Sequence, residues 1–150
     1  MIWGVVMDEK RIKAILEEMR KLLQRSEYDA QAKYLSRLIA WTDCDRQAFH
    51  IGLTSMELWG GDGSVNDFCP ITGSIEEARS FSRCLVDLAD TLADAGIRNG
   101  RMEFIARTNR MWLEQDIWTN VAESAQRPVQ PVRKRSSKES LKRKGKRYTD

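Results

Sequence analysis

The densest chemistry in the chain lies between Trp59 and Phe68, in the run Gly60, Gly61, Asp62, Gly63, Ser64, Val65, Asn66 and Asp67. Glycine reaches positive φ and lets backbone approach a neighbour with no Cβ in the way. Asp and Asn bond their own main chain two residues on. Such a run makes either a tight, anchored turn or a nest of N–H groups that holds an anion. A phosphate-binding loop ends in Lys-Ser/Thr, and this one does not. Asp62, Ser64 and Asn66 match the first three ligand positions of a calcium-binding EF-hand loop. That loop needs Gly where Asp67 stands and Glu where Gly73 stands, so EF-hand chemistry is excluded. Trp59, Asp62, Ser64 and Asn66 are therefore candidate partner-binding residues. Asp67 is expected to hold the loop by accepting backbone N–H bonds, with Asp62 at the tip. A metal-dependent hydrolase built on Asp62 and Asp67 is the catalytic alternative.

Other reactive side chains are sparse. His50 is the single histidine, so no second imidazole supports it, and a structural role is expected. Cys44, Cys69 and Cys84 are odd in number and irregularly spaced. They suit reduced, mostly buried thiols in a cytoplasmic protein better than a disulfide framework or a zinc site. No cofactor motif occurs, no metal set is expected, and no apolar run approaches membrane-spanning length.

The pattern Trp59-Gly60-Gly61-x-Gly63-Ser64-x-x-Asp67 resembles the signature of a family of small bacterial proteins without an assigned activity. The likeness covers about residues 28–96. It implies a leucine-rich helical pair leading into the loop, a further helix after it, and a bacterial or phage setting. It transfers no catalytic residue. Members often carry Trp or Phe where Asn66 stands here.

The elements that must position these residues are helical. Apolar residues recur at helical spacing from Asp8 to about Arg25, with Asp8 and Glu9 at the positive end. A second helix is expected over about 29–42, capped from Ser26–Asp29, and the short connection makes the two a hairpin. A third, shorter helix runs from about 45 to 55, although Gly52 weakens it. After Pro70, Ser74 and Glu77 form a capping box. Ala78, Phe81, Leu85, Leu88, Leu92 and Ala95 then step as a heptad seam, ended by Gly96 and Ile97. Asn99-Gly100 makes a turn before a fifth helix over about 101–124. Trp112 and Trp118 lie six apart on it, so they cannot share one narrow stripe. At least one should be an edge residue and a candidate partner anchor.

Charge divides the chain. Residues 1–132 hold 16 Lys/Arg and 20 Asp/Glu, a net −4, whereas residues 133–150 hold 9 and 2, a net +7. The basic residues Arg133, Lys134, Arg135, Lys142, Arg143, Lys144, Lys146 and Arg147 suit an acidic partner or the phosphates of a nucleic acid. One aromatic, Tyr148, accompanies them, so base stacking is hardly provided.

The expected architecture is mainly α: one bundle of four to five helices over residues 1–126, with residues 1–7 an accessory N-terminal extension. A central Gly-rich loop, compatible with a short hairpin, and a disordered or extended basic tail over 127–150 complete it. No acid–base pair stands out. The expected function is a non-enzymatic protein-binding module, of the kind that includes immunity and anti-defence inhibitors. The alternatives are a nucleic-acid accessory protein using the tail and the Asp62/Asp67 hydrolase. A monomer and a homodimer both fit.

Overall fold

The computed structural model describes residues 6–67 and 74–119. It is mainly α, with six helices and no strand among those residues. Residues 1–5 of the N-terminal extension, residues 68–73 (Cys69 and Pro70 among them) and the basic tail lie outside them.

Helix α1 spans Glu9–Arg25 and α2 spans Asp29–Cys44. The Asp8 carboxylate accepts from the Arg11 N–H at 3.0 Å and starts α1. Ile12, Leu16, Met19, Leu22 and Leu23 return at intervals of three and four, and all five are buried. Each such side chain contributes roughly 1.5–3 kcal/mol of burial. The cap expected from Ser26–Asp29 is not made. The chain turns through Glu27 in the left-handed region (φ 62°), which moves the N-cap position of α2 to Tyr28, with no capping bond from its side chain.

Helix α3 spans Arg46–Gly52 and ends before the expected residue 55. The reason is where the Gly52 carbonyl points. It accepts from the Tyr34 hydroxyl at 3.2 Å and from the Ser55 hydroxyl at 2.8 Å, which diverts the chain into a new start. Helix α4, Met56–Trp59, follows at once, and Val65–Asp67 form a 3₁₀ turn. The segment 58–67 is therefore the end of α4, a turn over 60–64 and a 3₁₀ turn, and the hairpin is not formed.

Helix α5, Ile75–Asp94, is central: α1 packs on it from one side and α6 from another. Ser74 caps it, with its hydroxyl accepting the Glu77 N–H at 3.2 Å. Ala78, Phe81, Leu85, Leu88 and Leu92 are buried, as the seam requires, and Ala95 is half-buried at the end. Gly96 takes φ +80°, and the N–H groups of Gly96 and Ile97 reach the carbonyls of Ala93 and Leu92, both at 2.9 Å. That double bond pattern closes the helix, and Ile97 folds back on the core.

Helix α6 spans Gly100–Gln115. Asn99 is its cap, accepting from the N–H groups of Arg101 and Met102, so Asn99-Gly100 is a helix start and no separate turn. Met102, Ile105, Ala106 and Asn109 are buried. Asn109 belongs there because Ser82 of α5 donates to its Oδ1 at 2.7 Å, while its amide donates to the Ile105 carbonyl. The helix breaks at residue 116; residues 117–119 are helical again, and residues 120–124 of the expected span lie outside the described residues. Asp116 turns left-handed (φ 48°), and Arg79 of α5 grips its carboxylate at 2.8–3.0 Å. Among the described residues no helix is long and apolar enough to cross a membrane.

Candidate functional site

The glycine loop is built from its backbone outward. Gly60 ends α4 by donating its N–H to the Met56 carbonyl at 2.7 Å. A Cβ there would sit 2.1 Å from that oxygen, so only glycine fits. The Gly60 carbonyl in turn accepts from the Ser64 hydroxyl at 2.8 Å and from the Asn66 amide at 2.5 Å. Gly63 stands at φ +78° and donates its N–H to Asp67 Oδ2 at 3.1 Å. From outside the loop, Gln31 of α2 donates to the Gly63 carbonyl at 3.1 Å and Arg101 of α6 donates to the Trp59 carbonyl at 2.8 Å.

These bonds correct part of the sequence expectation. Trp59 is 1% exposed, and its indole N–H is spent on the Leu53 carbonyl at 2.8 Å. It is a core residue, out of a partner's reach. Ser64 is buried and Asn66 half-buried, and both side chains stitch the loop to Gly60. Asp67 holds the loop, as expected. Of the four candidates Trp59, Asp62, Ser64 and Asn66, Asp62 alone is exposed. Among the described residues no group of three His, Cys, Asp or Glu could hold a metal ion, and the Asp67 carboxylate is committed to Gly63.

Asp62 is part of a larger feature. A groove of about 430 Å³ runs between α2 and the 56–65 segment, with Tyr34 and Arg37 on one wall and Met56, Glu57 and Asp62 on the other. The Tyr34 hydroxyl lies 2.7 Å from the Ser55 hydroxyl, and its pKa is raised, mainly by burial. The Arg37 guanidinium lies 5.7 Å from the Tyr34 ring centroid. Tyr34 and Arg37 escaped the sequence. Their signal, a polar pair three apart at the edge of the α2 core face that carries Leu35 and Leu38, means little until the loop is placed beside it.

A second feature lies on α6. Phe104 is 59% exposed, Met111 45% and Trp112 37%. Phe104 and Met111 are seven residues apart, so they share one stripe, opposite the face that packs on α5. The Arg107 guanidinium covers the Phe104 ring at 5.9 Å. On the flanks, Arg98 pairs with Glu103 at 3.3 Å and Arg110 with Asp90 at 2.7 Å. Trp112 is thus an edge residue, as its spacing suggested. Trp118 is half-buried and lies beyond the Asp116 break, in helical residues 117–119, which Arg79 of α5 holds through Asp116 and Thr119.

Elsewhere, Cys44 is exposed, against the expectation of burial, because it sits in the last turn of α2 beyond the core face. Cys84 is buried, and burial pushes its thiol up to about 12. His50 is exposed and meets the Phe49 ring edge-on at 5.9 Å. The basic residues from Arg133 to Arg147 lie outside the described residues. No family model, curated protein or solved structure matches the chain.

Proposed function

We propose that this chain is a non-enzymatic module that binds another protein through the outward face of α6. One observation carries the reading: Phe104, Met111 and Trp112 stand exposed within nine positions of one helix. Scattered exposed apolar residues need no explanation, but a grouped set with aromatic and Met character marks a contact surface. Aromatic residues, Met and Arg are the types enriched where protein interfaces bury their centre. Here Arg107 lies on Phe104, and ion pairs rim the face. An exposed helix stripe of this kind suits docking into a partner's groove.

Immunity and anti-defence inhibitors are modules of this type. The bacterial or phage setting implied by the loop resemblance agrees with that assignment and with a cytoplasmic location, by analogy. The test is affinity capture from a lysate of the source organism on the immobilised full chain and on a Phe104→Ser/Met111→Ser variant. The variant should keep its helical spectrum and lose a protein that the parent retains. Equal retention by both removes α6 from the reading. The net +7 over residues 133–150 supports a second reading, phosphate-directed nucleic-acid binding. Salt-dependent binding to a DNA duplex, weakened when Lys142, Arg143, Lys144, Lys146 and Arg147 become Gln, is its signature.

A further inference from the structure

We propose that the groove between α2 and the glycine loop is a second contact site, which seats a lysine or arginine side chain from a partner polypeptide. The inference rests on the protein-binding reading but uses residues that α6 does not supply.

Charge selects the occupant. Glu57 and Asp62 are both exposed on the groove wall, and no ion pair or hydrogen bond among the described residues engages either carboxylate. The one cation of the groove, Arg37, is turned onto the Tyr34 ring at the α2 wall. An incoming base is therefore repelled from the α2 wall and attracted to the Glu57/Asp62 wall. An acidic segment would meet the reverse pattern. A wholly apolar segment would strip water from two carboxylates and leave them unpaired, which is costly.

Shape agrees with a long basic side chain. Met56 is 61% exposed beside Glu57 and offers a thioether flank. Lys and Arg lay their methylene stems along such apolar surface while the charged head stays at a polar rim. The walls are already set. Tyr34 is tied to Gly52 and Ser55; next to Asp62, Gln31 donates to the Gly63 carbonyl and Asp67 accepts the Gly63 N–H. A site ordered before the ligand arrives loses less freedom on binding.

The test titrates the isotope-labelled full chain at low salt with an alternating alanine–lysine octapeptide and with its alanine–glutamate counterpart. The lysine peptide should move the amide signals of residues 31–37 and 56–65, and the glutamate peptide should leave them in place. Glu57→Gln/Asp62→Asn should weaken the lysine peptide about tenfold or more. Glu18→Gln/Glu114→Gln, which neutralises two exposed acids outside the groove, should bind it as the parent does. Phe104→Ser/Met111→Ser should also bind it normally, so failure of the groove and failure of the α6 reading are distinct results. Three outcomes overturn the proposal: shifts spread over the acidic surface with the groove silent, undiminished binding by the groove variant, or a preference of the groove for glutamate.

Discussion

Arg101, in the first turn of α6, donates its Nε–H to the backbone carbonyl of Trp59 at 2.8 Å, across 42 residues of chain. Helix α4 is one turn long, and its last carbonyls have no partner in the helix itself. A guanidinium supplies one, with the added strength of a charged donor. The glycine loop and the proposed contact helix are joined at this bond.

Removing it should loosen the loop without unfolding the bundle. Arg101→Ala is expected to cost about 1 kcal/mol, the scale of one partly exposed hydrogen bond. Hydrogen exchange at Gly61–Ser64 should quicken while α5 stays protected. Unchanged exchange in the loop would show that the bond contributes nothing to its order.

The loop's own residues should separate sharply. Gly60→Ala places a Cβ 2.1 Å from the Met56 oxygen, and backbone must shift, so a loss of about 1–3 kcal/mol or more is expected. Gly63→Ala meets no neighbour but keeps φ at +78°, costing about 1–2 kcal/mol. Asp67→Ala frees the Gly63 N–H and should lower the melt, whereas Asp62→Ala should leave it in place. Thermal melts of the four variants check the order. An Asp62 variant less stable than the Asp67 variant would contradict this account of the loop.

Leu85 and Leu88 occupy the middle of the α5 seam, at 2% and 0% exposure. Either one changed to Ala should destabilise by about 2–5 kcal/mol. Denaturant unfolding of both variants measures it. Wild-type midpoints would mean that this face is not the core.

The clasp after α6 carries a pH signature. The Thr119 hydroxyl, at 2.8 Å, and then the Arg79 guanidinium hold the Asp116 carboxyl below its usual range. A carboxyl with a depressed folded-state pKa contributes stability above its unfolded value of about 3.9 and loses it as pH falls through the folded value. The 116–119 turn should therefore release only in acid. A carbon-detected titration of Asp116 should move upward in Thr119→Val and in Arg79→Gln. Identical titrations in parent and variants would remove both groups as causes.

Local signals made much of the fold legible. Asp8 stands at the start of α1 and Ser74 caps α5, and the α5 seam is buried where its spacing places it, whereas Asn99 reads as a turn and is the cap of α6. Partners distant in sequence account for what was missed. Helix α3 stops at Gly52 because Tyr34, 18 residues away, bonds its carbonyl. Trp59 reads as a candidate contact residue because sequence does not say which way an indole faces, and its N–H turns inward to Leu53. The apolar periodicity of α6 fits the core face through Met102, Ile105 and Ala106, and that fit hid the opposite stripe of Phe104 and Met111. The break in α6 at Asp116 is not legible in the sequence because it depends on Arg79, 37 residues earlier.

The central proposal is that the outward face of α6 is the contact surface. The measurement that tests it most directly is the affinity of the captured partner for the parent chain and for Phe104→Ser/Met111→Ser, with the melt of each recorded alongside. The account predicts an unchanged melt and a loss of affinity of about tenfold or more, which is about 1.4 kcal/mol or more. A variant that melts with the parent and binds as tightly would contradict it.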